Sequence, residues 1–245
     1  MSLVVVGTVA FDESITPVVE SGKIIGGSAT YASLAASNFM DDIRIVSIVG
    51  EDFPQKTLEM FQSRGIATKG IEQVKGGKTF FWKGKYHNDM NSRDSLETEL
   101  NVLADFDPVV PDEFKDTKYL MLGNLTPAVQ MKVLEQMNKR PELVVLDTMN
   151  FWMDVALDEL KEVLKKVDVL TVNDEEARQL SGEYSLVKAA RKIFEMGPKY
   201  LIIKKGEHGA LLFHKNEVFF APALPLEEVF DPTGAGDTFA GGFIG

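Results

Sequence analysis

Six stretches of this chain are of strand length and mostly apolar, interrupted only by Arg44, Ser47 and Thr171: Leu3–Val6, Ile43–Val49, Tyr119–Leu122, Leu143–Leu146, Val169–Val172 and Tyr200–Ile203. Short continuous apolar runs predict strands buried on both faces. Between them the sequence predicts helices over Ser28–Met40, from about Gln55 to Arg64 with Gly65 closing it, and over Pro127–Lys139, Val155–Lys166, Glu175–Leu180 and Leu186–Met196. Strand and helix in alternation predict an α/β fold, a doubly wound and mostly parallel sheet flanked by helices. The run Ile66–Asn101 has another character. It alternates polar with aromatic residues, as in Thr79-Phe-Phe-Trp-Lys-Gly-Lys-Tyr86, and turns at Gly76-Gly77 and His87-Asn88-Asp89. It predicts antiparallel strands that join Ile15–Val19 and Lys23–Ile25 in a small lid sheet, built from about residues 15–25 and 71–101.

At 245 residues and 44% apolar content, the chain can bury one substantial core, so 1–245 is expected to be a single domain. A net charge of −11 disfavours nucleic acid and anionic membrane surfaces as partners. The absence of cysteine excludes disulfides, thiolate zinc sites and thiol catalysis. Met1-Ser-Leu-Val-Val-Val-Gly enters a strand without a charged-then-apolar leader, and no apolar run reaches membrane-spanning length, so a cytoplasmic location is expected. The terminal Gly-Gly-Phe-Ile-Gly245 is apolar and lies within a predicted helix, which predicts that the chain is C-terminally truncated.

The chemistry concentrates in Asp231-Pro-Thr-Gly-Ala-Gly-Asp-Thr-Phe-Ala-Gly-Gly-Phe243. Gly234, Ala235 and Gly236 let successive backbone N–H groups converge, a nest suited to an oxyanion or phosphate. Asp237 stands at the start of the helix that follows, where the dipole favours its ionised form. A carboxylate beside a phosphate cradle suits a base that takes a proton from an attacking hydroxyl. Asp is also a favoured helix cap, so Asp237 alone would not decide the matter. Asp12 follows the first strand, near the carboxyl edge where open α/β sheets bind ligands. Asn173-Asp-Glu-Glu176 reads as a capping box, and Lys204-Lys-Gly-Glu-His-Gly209 as a hairpin turn. The three histidines lack metal-ligand spacing. The chain has no G-x-x-x-x-G-K-[ST], no G-x-G-x-x-G after strand 1 and no complete G-x-S-x-G, which argues against P-loop, dinucleotide and serine-hydrolase chemistry.

The string Asp231–Gly242 closely resembles the C-terminal signature of the ribokinase-like (PfkB) carbohydrate kinases. Gly7…Asp12, Gly26-Gly27, Asn173…Glu176 and Gly206…Gly209 resemble further motifs of that family, in the correct order, over essentially the whole chain. The resemblance implies transfer of the γ-phosphoryl group of ATP to a hydroxyl of a sugar or sugar-like molecule, with Mg2+. It implies Asp237 as catalytic base and Gly234, Ala235 and Gly236 as anion hole. Asp12, Gly26 and Gly27 would bind the acceptor, and Lys205, Gly206 and Gly209 would line the nucleotide. Asn173 and Glu176 would hold Mg2+ mainly through water, with Asp147 of Asp147-Thr-Met-Asn150 nearby. Lids of the family often pair between subunits, which implies a homodimer through the lid. Many sugar kinases carry Asn five residues after the first glycine of the Gly-Gly pair, where this chain has Tyr31. A nucleoside kinase of the same family, of adenosine-kinase type, and a non-catalytic sugar- or nucleotide-binding protein with the kinase fold are the alternative readings.

Overall fold

The computed structural model describes residues 1–245. The chain begins with β1 (Ser2–Val6), β2 (Ala10–Ile15), β3 (Ile24–Gly26), α1 (Ser28–Ala36), β4 (Asp42–Gly50), α2 (Gln55–Ser63) and β5 (Ile66–Val74). It continues through β6 (Phe81–Tyr86), β7 (Arg93–Glu99), β8 (Tyr119–Leu122), α3 (Pro127–Gln136), β9 (Leu143–Asp147), α4 (Asn150–Val155) and α5 (Leu157–Leu164). The last elements are β10 (Val169–Asn173), α6 (Asp174–Ser181), α7 (Leu186–Glu195), β11 (Tyr200–Lys204), β12 (Ala210–His214), β13 (Glu217–Ala221) and α8 (Ala235–Ile244).

The apolar runs form the middle of a nine-stranded sheet ordered β13-β12-β11-β10-β9-β8-β1-β4-β5. Strands from β11 to β5 run parallel, and β12 and β13 close one edge as antiparallel hairpins. Alternate residues of each strand face opposite sides, and both sides are apolar. Leu3, Val5, Ile45, Met121, Val145 and Ile202 pack with α1, α2 and α8. Val4, Val6, Leu120, Leu146, Leu170 and Ile203 pack with α3, α5, α6 and α7. Each such side chain, fully removed from water, contributes about 2 kcal/mol before entropy is counted. Helices on both faces of a parallel sheet leave its carboxyl edge as the place where loops can gather chemistry.

A second sheet, ordered β3-β2-β6-β7, stands apart as the lid. It differs from the expectation in three ways. Its first strand is Ala10–Ile15, whereas Thr16–Val19 is a turn closed by Thr16 N–H on Val19 O at 2.8 Å. The sequence hides this strand because Asp12 and Ser14 are polar yet buried. Residues 66–74 are not lid at all. They form β5, the parallel edge strand beside β4. An edge strand is only partly covered, so its polar–apolar alternation mimics a lid strand. The lid is also mixed, since β2 and β6 pair in parallel. Elsewhere, the helix predicted over Val155–Lys166 is α5, Leu157–Leu164, and a further short helix, α4, precedes it across an abrupt joint at Ala156.

Candidate active site

Three neighbouring parallel strands end at one edge with polar residues. Asp147 closes β9, Asn173 closes β10 and Lys204 closes β11, with Asp147 in register with Thr171 and Asn173 with Lys204. Lys204 Nζ donates to Asp147 Oδ1 at 3.0 Å, and the Thr171 hydroxyl donates to the same oxygen at 2.5 Å. Asp147 Oδ2 takes no bond from the protein. Asn173 caps α6 through Glu176 N–H at 2.8 Å, and the Glu176 carboxylate accepts the Asn173 N–H at 2.7 Å. The expected capping box is therefore formed, and it faces the same edge as Lys204 and Asp147. Burial pushes the Glu176 carboxyl up to about 7, with Asp147 adding to the rise and Lys204 opposing it.

The N-terminus of α8 points at this edge. Gly234 is its N-cap in the left-handed region, φ 73°, and a Cβ there would lie 2.3 Å from the Tyr31 ring. Only glycine satisfies both constraints. Asp237 sits in the first turn, half-buried, with no hydrogen bond to its carboxylate. It is not the cap. Burial above all, with Asp147 and Asp12 adding to it and Lys204 and Arg93 opposing, raises its pKa to about 7. Of the nest, Ala235 N–H is already bonded to Pro232 O at 3.1 Å. The N–H groups of Gly234, Gly236 and Asp237 have no protein acceptor, so of the expected Gly234, Ala235 and Gly236 only the two glycines keep a free N–H.

On the lid side, Asp12 is only 6% exposed and receives Gly27 N–H at 3.2 Å and the Tyr31 hydroxyl at 3.3 Å. Gly26 and Gly27 exist for this carboxylate and its surroundings. A Cβ on Gly26 would overlap Asp12 Oδ2, and one on Gly27, at φ 96°, would stand 2.4 Å from Thr8 O. Burial lifts Asp12 to about 6, while the Gly27 and Tyr31 bonds hold it lower than burial alone would. The lid is tied to the segment before α8. Ser14 Oγ donates to Asp231 Oδ2 at 2.5 Å, Thr16 Oγ1 donates to Phe230 O at 2.9 Å, and Thr233 Oγ1 meets Tyr86 Oη at 3.3 Å.

This cleft joins the buried Asp12 carboxylate, the Asp237 carboxylate at a helix start and backbone N–H groups without a protein acceptor. The pfkB family carbohydrate kinase model matches residues 2–245. The chain belongs to the pfkB family of carbohydrate kinases. It is accordingly an ATP-dependent phosphotransferase acting on an alcohol group of a sugar-like molecule. A cytidine kinase of Thermococcus kodakarensis is 32% identical over 252 aligned positions, covering 100% of this chain and 87% of that protein. Two solved structures share the fold. A protein of E. coli assigned as a ribokinase II, in complex with ATP and Mg2+, has a TM-score of 0.82 at 22% identity, covering 99% of this chain and 84% of that one. The Arabidopsis thaliana ribokinase complexed with ribose and ATP has a TM-score of 0.78 at 20% identity, covering 99% and 84%. No helix is long and apolar enough to cross a membrane.

Within this pfkB kinase, the expected nucleotide turn is a single 3-10 turn, Gly206–His208, closed by Lys205 N–H on Gly209 O at 2.8 Å. The Lys205 side chain makes no ion pair, whereas its neighbour Lys204 enters the cleft. Lys204 is the cleft residue that sequence reasoning passed over. The signal was available, because a charged residue ending a buried parallel strand projects where α/β sheets bind ligands. Arg93 on β7 was also missed. It lies over the Trp82 ring at 5.9 Å and is near enough to lower the pKa values of both Asp237 and Glu176. Nothing in a polar lid sequence marks it.

Proposed function

We propose that this kinase phosphorylates the primary hydroxyl of a nucleoside, with a pyrimidine nucleoside as the favoured acceptor. The observation that carries this reading is Tyr31. Where many sugar kinases place a short Asn, this chain places an aromatic ring against Gly234 and a phenol on Asp12. A flat ring beside the acceptor carboxylate favours a substrate that brings its own aromatic plane. The full-length likeness to a cytidine kinase supports the same choice. Asp12 and the Gly27 backbone would hold ribose hydroxyls, a part shared by nucleosides and free pentoses.

The acceptor oxygen would attack the γ-phosphorus in line as the bond to the ADP oxygen breaks. Asp237 would take the hydroxyl proton, a task suited to a carboxylate whose pKa burial raises to about 7. The N–H groups of Gly234, Gly236 and Asp237 would receive charge on the phosphoryl oxygens. Gly206 and Gly209, with the Lys205 backbone, would line the nucleotide.

No three His, Asp or Glu side chains stand close enough to cage a metal. That arrangement fits Mg2+, which keeps most of its waters and rides on substrate phosphates. Asn173 and Glu176 would hold those waters, with Asp147 Oδ2 at the same edge, and the ion would neutralise phosphate charge when bound. The lid strand β7 is exposed along its length and would offer the edge for pairing two subunits.

The test is ATP consumption across nucleosides and free pentoses with Asp237→Asn alongside. Cytidine or uridine should give the highest kcat/KM, and the mutant should fall to background. A preference for free ribose over every nucleoside would return the acceptor to the sugar class. Binding without turnover by any acceptor would point to the non-catalytic reading.

A further inference from the structure

We propose that Lys204 is a catalytic cation, its ammonium contacting a non-bridging oxygen of the phosphoryl group during transfer. The proposal rests on the kinase reading of this cleft but not on which acceptor it takes.

The argument begins with position. Lys204 ends β11, and its side chain is only 17% exposed. Its Nζ lies 3.0 Å from Asp147 Oδ1, and a Cβ built on Gly236 would stand 3.0 Å from the same nitrogen. The ammonium is thus a carbon's width from the cradle that Gly236 N–H helps to form. An ammonium carries three donors, and Asp147 takes one. No other protein group accepts from it. A buried charged donor left with unmade bonds is costly, and it persists where a ligand completes them. Asp147, Glu176 and Asp237 all act on this lysine, and together with an incoming triphosphate they would crowd negative charge into one cleft. Arg93 is the other cation within reach, and it stands exposed on the lid. Lys204 is fixed to the sheet and pre-aimed by Asp147, so it can stabilise developing charge without reorganising.

A purely structural ion pair would use the same Asp147 contact. It would not need the ammonium beside Gly236, and it would not distinguish a γ-phosphoryl group from its absence. That difference is measurable. In the full chain with Mg2+, Lys204→Met should bind ADP within about threefold of wild type but bind ADP–beryllium fluoride, which mimics the γ-phosphoryl group, more weakly by about tenfold or more. Equal weakening of both ligands, or of neither, overturns the proposal. This arm needs no acceptor, so failure of the nucleoside reading leaves it intact.

The chain has no cysteine, which supplies a second arm that does not depend on the folding of the Met variant. Lys204→Cys introduces a single thiol. Its thiolate displaces bromide from bromoethylamine, forming a thioether that ends in an ammonium near the original reach. Iodoacetamide places a neutral amide there instead. Aminoethylation should restore phosphoryl transfer by about tenfold or more over the unmodified variant, and the amide should not. Recovery with both reagents, or with neither, refutes a role for the charge.

Discussion

Tyr31 donates its hydroxyl to Asp12 Oδ2 at 3.3 Å while its ring abuts Gly234, so one side chain spans the buried Asp12 carboxylate and the turn that opens α8. Burial, with Asp12 and other carboxylates nearby, pushes the phenol well above its ordinary pKa, so it stays a donor. Removing it in Tyr31→Phe takes away one influence that lowers Asp12, whose pKa burial has already lifted to about 6. Asp12 should then titrate higher, and acceptor KM should rise by about tenfold near the acid end and less at alkaline pH. Tyr31→Asn should also open space and shift relative kcat/KM toward free pentoses by about tenfold. Initial rates with cytidine and ribose, taken against pH, test both. An unchanged preference in Tyr31→Asn would remove Tyr31 as the selector.

Asp237→Asn should lower kcat by about a thousandfold while nucleotide binding persists, since general-base groups contribute on that scale. Its effect on stability has the opposite sign. The folded pKa of Asp237 is raised to about 7, so its carboxylate works against folding once ionised. The stability it contributes is fully present below the ordinary carboxylate range and is lost as pH rises through about 7. Glu176 follows the same direction. Asp237→Asn, neutral throughout, should therefore melt higher than wild type near pH 8 and nearly equal to it near pH 4. Scanning fluorimetry across that window decides it, and a lower melting temperature at alkaline pH would contradict the buried-charge account.

The core of the fold was legible because buried parallel strands are apolar on both faces. Val4, Leu120, Val144 and Leu170 announce themselves without any tertiary information. The signature at Asp231–Gly242 was equally open, since its glycines are demanded by backbone geometry. What escaped was set by tertiary contact. Strand β2 is polar because Asp12 and Ser14 face a cleft and not the core. Strand β5 reads as a lid strand because an edge exposes one face. Lys204 was passed over for its neighbour Lys205 because choosing between adjacent lysines needs the strand's end to the residue, and it is Lys204 that ends the strand and meets Asp147.

Gly27→Ala should destabilise the protein and disable acceptor binding together. At φ 96° an alanine is strained, and its Cβ would stand 2.4 Å from Thr8 O and 3.0 Å from Ala10 N, both backbone atoms that cannot swing aside. The conformation alone costs about 2 kcal/mol. Any relief must move Gly27 N–H off Asp12. Urea unfolding and acceptor KM should both worsen, the latter by about tenfold. Full stability with normal KM would show that Thr8 and its strand adjust freely.

The lid is held to the catalytic segment by Ser14 on Asp231, Thr16 on Phe230 and Thr233 with Tyr86. Asp231 is partly buried, which alone would raise its pKa, yet the Ser14 and Thr233 bonds outweigh burial and keep it low. It is therefore an ionised latch at neutral pH. Because Asp231 precedes the cradle by three residues, a lid that loosens there also loosens the turn that forms Gly234. Ser14→Ala removes one donor to a charged acceptor, an effect of about 1 kcal/mol after partial exposure is allowed for. Water should then reach the cleft more often, since lids protect phosphoryl transfer from hydrolysis. The expected result is a rise of about fivefold in acceptor-independent ATP hydrolysis relative to transfer, with Asp237 chemistry otherwise intact. Measuring ADP and phosphorylated acceptor in parallel gives the ratio. If the ratio stays constant while the melting temperature falls, these bonds hold the fold together and do not govern the cleft.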